Sequence, residues 1–362
     1  MSYAIMCGTD DHAKTLVNRI ALDREEPETL TVPNTIKGRQ RLLKHLKKLS
    51  EKHRPERIVL TYEASYCGFL LHDDCVAAGI ECFILAPTKL AKSRSQRKKK
   101  CDVRDAQYLL EVLKGHVLAG NELPAIWIPD YETRDDRELV RMRLCCGMKL
   151  TAVKSQVQAL LKRNAIVKAP EAGTPWTKKY CRWLRSLDLA PGAGAALASL
   201  LRQLEHLEEE IAILEKQIEA LSRAPRYKEP STALVEKIKG VGLLSAMVYL
   251  TEMGDLSRFK NRRKVGSFLG YVPSIFETGN ADDRKGHITR EGPGRLRWIL
   301  SQASWARIRW DERESRFYWR IVDRNPKCKK KAAVACARRL GILMWHIGLE
   351  AQQKAGVFEV AA

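Results

Sequence analysis

Short β-rich runs alternate with amphipathic helical patterns over about residues 1–115, and this order constrains the fold more than any other feature of the chain. The order is three strands, a helix, a strand, a helix, a strand and a helix. Such alternation is typical of a layered α/β fold with a mixed sheet. The predicted strands are residues 3–8, 16–20, 30–32, 57–62 and 81–85, and the predicted helices are residues 36–52, 69–78 and 102–113.

The middle of the chain predicts long helices. Residues 116–130 read as a linker because glycine and proline recur there, and a helix is predicted over residues 132–164. From Leu197 the apolar residues follow steps of three and four, which is typical of a coiled coil. Two interpretations stay open, a rod that joins two subunits and a helical hairpin formed with residues 132–164. The heptad residues are Leu197, Leu200, Leu204, Leu207, Ile211, Leu214, Ile218 and Leu221.

From Pro230 the chain becomes helical and strongly basic. The predicted domains are therefore residues 1–125, an α/β domain, residues 126–229, a helical and coiled-coil region, and residues 230–362, a helical C-terminal domain. The predicted fold class is α/β plus all-α, with a mixed-sheet N-terminal domain.

The charge of the chain points to a polyanionic partner. Lys and Arg number 64 against 43 Asp and Glu, which gives a net charge of +21 and a pI near 9.6. Between residues 256 and 345 there are 22 basic and 8 acidic residues, so most of the excess lies there. Nucleic acid is the commonest partner of such a chain, and the alternative is a basic protein without a specialised partner.

Several classes of protein are disfavoured by the same sequence. The N-terminus lacks a basic region followed by an apolar run, so no signal peptide is predicted. We expect no apolar stretch long enough to cross a membrane, which takes about 20 residues. The ten cysteines include no Cys-x-x-Cys pair and are expected to be small buried residues, not zinc ligands. These observations predict a cytoplasmic protein with no membrane partner.

Four acidic residues stand where an α/β sheet builds its sites. Asp10 and Glu63 end the first and fourth predicted strands, and strand ends project side chains into the crevice of such a sheet. Asp102 and Asp105 are three apart at the start of a helix, so both carboxylates lie on one face. Asp102 alone is more simply read as a helix cap.

Four carboxylates held together need a cation, and hard oxygen ligands suit Mg²⁺ or Mn²⁺. Two such ions, about 3.5–4 Å apart, would clamp the attacking and leaving oxygens of a phosphodiester. A strand-end Asp, a fourth-strand Glu and then Asp-x-x-Asp on the last helix form the layout of ribonuclease-H-like nucleases.

Longer motifs carry a resemblance to a known family. Residues 8–15 (GTDDHAKT), 61–65 (TYEAS), 85–94 (LAPTKLAKSR) and 100–111 (KCDVRDAQYLLE) resemble the N-terminal domain of insertion-sequence family 110/1111 transposases. The similarity continues through residues 238–246 (IKGVGLLSA), 268–274 (FLGYVPS), 277–298 (ETGNADDRKGHITREGPGRLRW) and 303–306 (ASWA). It covers nearly the whole chain in order.

The resemblance implies a DNA transposase or recombinase of the DEDD type, guided by a structured bridge RNA. It implies that Asp10, Glu63, Asp102 and Asp105 are metal ligands, with Asp10 and not the adjacent Asp11 matching the motif. In the family a serine before a glycine is the nucleophile, and the matching residue here is Thr278, which also carries a hydroxyl. Ser274 and Thr289 are nearby hydroxyls that could substitute for it, but neither precedes a glycine.

The implied partners are donor and target DNA, the bridge RNA and further copies of the chain, as a dimer or a tetramer. Two alternatives remain: a metal-dependent nuclease that uses water, and a non-catalytic nucleic-acid-binding protein derived from a transposase. The intact acidic quartet argues against the second alternative, and the replacement of serine by threonine argues mildly for it.

Basic residues that could contact nucleic acid occur in several groups. One is a glycine turn between helical patterns that resembles a helix-hairpin-helix turn. Arginines interleaved with tryptophans beyond residue 294 suit RNA, although several of these tryptophans are expected to be core residues. The candidates are Arg94, Arg97, Lys98, Lys99, Lys100, Lys239, Gly240, Gly242, Arg262, Arg263, Lys264, Arg284, Lys285, Arg290, Arg295 and Arg297.

Overall fold

A five-stranded mixed sheet organises the first part of the computed structural model, which describes residues 3–90, 101–168, 172–276 and 284–356. The strand order is β3-β2-β1-β4-β5; β2 is antiparallel to β1 and β3, and β1, β4 and β5 are parallel. The mixed, ribonuclease-H-like sheet expected from the sequence is confirmed. The strands are β1 (Ala4–Asp11), β2 (Thr15–Leu22), β3 (Glu28–Pro33), β4 (Arg57–Glu63) and β5 (Glu81–Leu85).

Helices cover both faces of this sheet. Ile5 and Cys7 of β1 share a core with helices α1 (Ile36–His53) and α2 (Leu70–Ala77). Ala4 and Met6, which alternate with them, share a second core with helix α3 (Asp102–Ala119). The linker predicted from residue 116 is wrong over its first four residues, because α3 continues to Ala119 and ends at Gly120, whose φ is 73°.

The chain divides into two units, Met1–Ile128 and Pro129–Ala362, and the three-domain division stays a prediction. The second unit begins with a long helical hairpin, in which α4 (Tyr131–Arg163) packs against α6 (Pro191–Ser222) and the short α5 (Lys178–Arg185) lies between them in sequence. Ion pairs from Arg143 to Glu215 and from Lys154 to Glu208 show that α4 and α6 are antiparallel.

The eight heptad residues of α6 are all buried or half-buried. In the first half of α6, Leu197 and Leu201 share a buried core with Val157 and Leu161 of α4. The intrachain hairpin, one of the two interpretations of the heptad pattern, is therefore confirmed, and the apolar seam is covered within the chain.

Most of the remaining helices pack around one large core, and the helix Glu312–Arg324 contributes Tyr318 and Val322 to a smaller one. One basic-rich stretch departs from the prediction, because β6 (Pro273–Phe276) and β7 (Arg284–Ile288) form an antiparallel pair in a region expected to be only helical. Both strands are short, and the basic sequence of β7 has no apolar alternation that would have revealed it. The helices are α7 (Pro225–Lys237), α8 (Leu243–Met253), α9 (Arg262–Phe268), α10 (Gly294–Trp310), α11 (Glu312–Arg324) and α12 (Lys329–Ala355).

A buried ion pair joins the hairpin to this core. Arg141 of α4 donates to both carboxylate oxygens of Glu252 of α8, at 2.8 and 3.0 Å, and the Glu252 side chain is 5% exposed. Arg137, one turn earlier on α4, donates to the backbone carbonyls of Thr251 and Glu252. Two arginines therefore fix the register of α4 on the end of α8.

One helix within the described residues is long and apolar enough to cross a membrane by length and composition, namely residues 326–355. This differs from the expectation that the chain has no such stretch. Its apolar residues Leu340, Met344 and Trp345 are buried in the large core with residues of α8 and α10. A helix in a protein core can have this length and composition without spanning a membrane.

Candidate functional site

Asp10 and Glu63 are brought together by the pairing of two parallel strands. Thr9 of β1 lies opposite Tyr62 of β4, so the next residues of the two strands, Asp10 and Glu63, are neighbours. Met6 and Val59 are register partners in the same pairing, and both are buried in the core under α3. Because side chains alternate along a strand, Asp10 and Glu63 project to that same face.

Helix α3 carries Asp102 and Asp105 in its first turn and is seated directly on β1. The seat is Gly8, where an added Cβ atom would lie 2.3 Å from the backbone nitrogen of Leu110 and 2.4 Å from the carbonyl oxygen of Ala106. Only a residue without a side chain permits this approach. The structure therefore gathers all four predicted acidic residues at one face of the sheet.

His12 completes a tight group with two of them. Its Nε2 atom lies 3.0 Å from Oδ2 of Asp10 and 3.4 Å from Oδ1 of Asp102. One ligand atom from each of the three residues lies within 4.8 Å of the others, while Glu63 and Asp105 stand outside this group. Two carboxylates and an imidazole are a suitable donor set for a divalent cation. The Asp102 side chain is 49% exposed, which leaves the group open on that side.

Sequence reasoning missed His12, although a signal was present. The residue follows Asp10 by two positions, at the turn where β1 gives way to β2, and its backbone N–H donates to the carbonyl of Thr15 at 3.0 Å. A histidine so close to a strand-end aspartate can reach the same cation. The omission came from matching only carboxylates.

Asp11 lies in different surroundings from Asp10. Its Oδ1 accepts a hydrogen bond of 2.8 Å from Nδ2 of Asn34, and burial raises the pKa of its carboxyl group, opposed by hydrogen bonds from Cys67 and Ser65. Strand alternation places Asp11 on the face covered by α1 and α2. The choice of Asp10 over Asp11 therefore has a structural reason as well as the motif match.

A buried polar network holds the end of β1 in place. The hydroxyl of Thr9 donates to Oδ1 of Asn18 on β2 at 2.8 Å, and Nδ2 of Asn18 donates to the carbonyl of Leu30 on β3 at 2.8 Å. Thr9 and Asn18 are fully buried. Satisfied networks of this kind rigidify their surroundings, so the strand that presents Asp10 is tied to two neighbours.

The structure describes only some of the residues predicted to act with the acidic group. Thr278 lies outside the described residues, as do Arg94, Arg97, Lys98, Lys99 and Lys100. Arg284 and Lys285 belong to β7, and only their backbone is described. The hydroxyl of Ser274, one alternative nucleophile, donates to the carbonyl of His287 at 3.0 Å.

The glycine turn at residues 239–242 joins α7 to α8. Gly240 has a φ of 84°, and a Cβ atom there would lie 2.8 Å from the backbone nitrogen of Arg307. Gly242 is the N-cap residue of α8, and Lys239 is exposed beside it. The turn is therefore packed on α10 through its backbone while its lysine faces water.

The other basic candidates separate into two kinds. Arg297 donates to the backbone carbonyls of Glu291 and Gly292, both at 3.0 Å, so its guanidinium has a role within the chain. Arg258, which is not among the candidates, lies between Phe259 and Phe268, and burial lowers its pKa to about 10. The exposed candidates are Arg262, Arg263, Lys264, Arg290 and Arg295.

Four tryptophans of α10 and α11 are not core residues. Trp298 and Trp305 are each 49% exposed, Trp310 is 68% exposed and Trp319 is 50% exposed. The expectation that several of this group are buried is wrong, because the buried face of α10 is supplied by leucine, isoleucine and alanine.

Comparisons with known proteins agree with both halves of the chain. A family model of IS110 DEDD transposases, described as Transposase, matches residues 7–165, and a model described as Transposase IS116/IS110/IS902 family matches residues 232–320. The chain belongs to the IS110 family of transposases. The first match spans all four acidic residues, and the second spans α8, α9, α10 and Thr278.

Relatives of this IS110-family transposase share about a quarter of its residues. A Sinorhizobium fredii protein named as a transposase, y4qE, is 28% identical to this chain. The alignment covers 82% of this chain and 77% of the relative. The transposase for insertion sequence element IS1533 of Leptospira borgpetersenii is 25% identical over 84% of this chain and 86% of its own. Among solved structures, Thermus thermophilus RuvC aligns with 33% of this chain and with 99% of its own length. The two sequences are 13% identical, and the TM-score is 0.26.

Proposed function

We propose that this transposase cuts and rejoins DNA strands at a composite site, with a divalent-cation centre in the first unit and a hydroxyl nucleophile, Thr278, in the second. The observation that carries the proposal is the meeting of Asp10, His12 and Asp102 within 4.8 Å, with Glu63 and Asp105 beside them on the same face. Asp10, Glu63, Asp102 and Asp105, together with His12, would hold Mg²⁺ or Mn²⁺, and we expect two ions.

The chemistry divides between the two halves. A bound divalent cation would neutralise charge on the phosphodiester and favour its attack by a nucleophile. The hydroxyl of Thr278 forms a bond to phosphorus while the bond from phosphorus to one DNA oxygen breaks. The proton of Thr278 passes to that oxygen, which leaves as a DNA hydroxyl, and a phosphothreonine link remains. A free DNA hydroxyl then attacks that link, joins the new strand and returns the proton to Thr278.

The partners follow from the family and the charge. Donor and target DNA are the substrates, and a structured noncoding bridge RNA guides the choice of target. The net charge of +21 supports nucleic acid as the partner class. Further copies of the chain, as a dimer or tetramer, bring together the two halves of the site, and the reaction takes place in the cytoplasm, where a bacterial or archaeal chromosome lies.

Trapping a covalent protein–DNA adduct tests the nucleophile. We expect wild-type protein and Thr278→Ser to form an adduct with element-end DNA and Mn²⁺, and Thr278→Ala to form none. Ser274→Ala is the matched control, because its hydroxyl contacts only the His287 carbonyl among the contacts described and it should keep the adduct. Strand cleavage without any adduct would establish the alternative, a nuclease that uses water.

A second experiment tests the acidic centre. Glu63→Gln keeps the size of the side chain and removes its charge, so we expect loss of cleavage with unchanged DNA binding. Strand exchange at the wild-type rate in Glu63→Gln would refute the metal-centre proposal. Absence of both cleavage and exchange in the wild-type protein, with firm DNA binding, would favour the other alternative, a non-catalytic nucleic-acid-binding protein. RNA that fails to co-purify with the wild-type protein would remove the support for RNA guidance.

A further inference from the structure

Helix α10 presents a stripe of arginine and tryptophan to solvent. The stripe consists of Arg295, Trp298, Gln302, Trp305 and Arg309, and its steps of three and four keep all five side chains on one face. Every member is exposed, and the two tryptophans are each 49% exposed. The opposite face of α10 is the one that packs in the core, so the exposure of the stripe follows from the seating of the helix.

The arginines of α10 are of two kinds, those that make contacts within the chain and those that lie on the stripe. Arg297 binds backbone carbonyls, and Arg307 pairs with Asp311 at 3.0 Å and with Glu314 at 3.5 Å. Arg295 and Arg309 remain on the stripe, one at each end. Residues 294–310 contain no Asp or Glu, so the helix itself places no carboxylate beside the stripe. Its electrostatic field therefore favours an anion over its whole length.

One of the two indole rings is held in a fixed orientation. Trp305 makes an edge-type contact with Tyr318 of α11, with ring centroids 5.5 Å apart and planes at 61°. Tyr318 is 5% exposed, so it is a fixed support. About half of the Trp305 surface still faces water. A pre-oriented aromatic ring loses little conformational freedom when it binds a flat partner.

The chemistry of the stripe fits unpaired nucleotides. Trp305 lies seven positions after Trp298, about 10 Å along the helix axis. Aromatic rings stack on bases only where the base faces are free, which holds in single strands and not inside a duplex. The amide of Gln302 lies between the rings, where it can pair with base edges, and the terminal guanidinium groups can contact phosphates.

A protein partner fits the stripe less well. The cores of protein interfaces are depleted of charge and filled by apolar side chains. Here the residue between the two tryptophans is a polar Gln302, both ends are cationic, and no aliphatic side chain belongs to the stripe. Charge complementarity therefore favours a polyanion.

We infer that this face of α10 binds single-stranded nucleic acid, with Trp298 and Trp305 stacking on two bases and Arg295 and Arg309 contacting the phosphates around them. The inference rests on the proposed function only for the presence of nucleic acid, and it assigns a partner surface separate from the acidic centre.

Binding of labelled 12-nucleotide probes to the full-length protein tests this assignment. Single-stranded RNA, single-stranded DNA of the same sequence and the corresponding DNA duplex are compared by fluorescence anisotropy. We expect Trp298→Ala and Trp305→Ala each to weaken single-strand binding about tenfold, since base stacking on one aromatic ring is worth about that much. Duplex binding should change less than twofold. Trp298→Phe, which keeps an aromatic face, should recover most of the affinity.

Trp310→Ala is the matched control, because Trp310 is 68% exposed on the same helix but is rotated about 100° from Arg309. It should leave single-strand binding within twofold of wild type. The single strand whose affinity falls more in the tryptophan variants, RNA or DNA, is the one that the stripe binds, and either result supports the inference. Glu63→Gln should bind the single strands normally, so failure of the catalytic proposal would be seen separately.

Three results would overturn the inference. Trp310→Ala could weaken single-strand binding as much as the two stripe variants do, or the stripe variants could weaken duplex binding as much as single-strand binding. In the third result, Trp298→Ala and Trp305→Ala keep the wild-type single-strand affinity, and light scattering shows a change in oligomeric mass. The last result would assign the stripe to a second copy of the chain.

Discussion

Gly8 and Leu110 are in contact through their main chains, and a Cβ atom on Gly8 would lie 2.3 Å from the backbone nitrogen of Leu110. Because the obstacle is backbone, only a movement of α3 or β1 could make room. Asp102 and Asp105 are on the same helix, and Asp10 is on the same strand, two residues from Gly8. The separation between Asp10 and the helix carboxylates is therefore set by this contact.

Gly8→Ala should consequently damage both stability and metal binding. Overpacking of this kind costs about 1–3 kcal/mol, and α3 has to shift at the end that carries Asp102 and Asp105. Thermal melting with and without Mn²⁺ measures both effects: we expect a lower Tm and a smaller increase on adding the ion. Gly192→Ala, at the start of α6, has open space around the added carbon and should match wild type. If Mn²⁺ raised the Tm of Gly8→Ala as much as that of wild type, the close packing of α3 on Gly8 would not determine the separation of the carboxylates.

The two adjacent aspartates should respond differently to the same change. Asp10→Asn removes a charge from the group with His12 and Asp102, so we expect Mn²⁺ affinity to fall at least about tenfold by calorimetry, about 1.4 kcal/mol. Asp11→Asn retains the oxygen that accepts from Asn34 and faces away from the group, so its affinity should stay close to wild type. Equal losses in the two variants would contradict the assignment of the faces.

His12 should bind a transition metal through its imidazole nitrogen. Electron spin-echo spectroscopy of bound Mn²⁺ should show coupling to a ¹⁴N nucleus in wild-type protein and none in His12→Gln. Since imidazole suits first-row transition metals better than Mg²⁺, the substitution should also weaken Mn²⁺ binding more than Mg²⁺ binding. His45→Gln, which alters a histidine paired with Glu28 on another part of the unit, serves as control. Persistent ¹⁴N coupling in His12→Gln would exclude His12 as the ligand.

The buried pair between Arg141 and Glu252 should show strong energetic coupling. Arg141→Met leaves the Glu252 carboxylate buried without its bidentate partner and should cost about 3 kcal/mol in the free energy of unfolding. Glu252→Leu should also destabilise, and the double variant should recover much of the loss because neither charge of this pair is left without the other. Denaturant unfolding of the four proteins gives the coupling, and simple additivity would mean that the pair contributes little.

Much of the first unit could be predicted from the sequence, because periodicity reports which elements form and where they end. The five strands, the two covering helices and the positions of Asp10 and Glu63 at strand ends all followed from local patterns. The extension of α3 to Ala119 did not, because a linker was predicted from residue 116 on the glycine and prolines of residues 116–130, while the helix in fact ends at Gly120, in the left-handed region.

The parts that escaped prediction depend on contacts between distant residues. The heptad pattern of α6 is the same for a hairpin and for a subunit rod, and only the packing against α4 decides between them. The exposure of Trp298 and Trp305 depends on which face of α10 meets the core. The contact between the His12 ring and Asp102, at 3.4 Å, likewise depends on the packing of α3 on Gly8.

The hairpin of α4 and α6 gives the second unit an arm of considerable reach. From Val140 to its end at Arg163, α4 rises about 35 Å, which is the length of about 10 base pairs of duplex. One end of the arm is rooted in the large core through Val140 and Leu144, and the other end has a small core of its own with Tyr180 and Leu184 of α5. A contact made at the tip therefore lies about one turn of a double helix away from a contact made at the root.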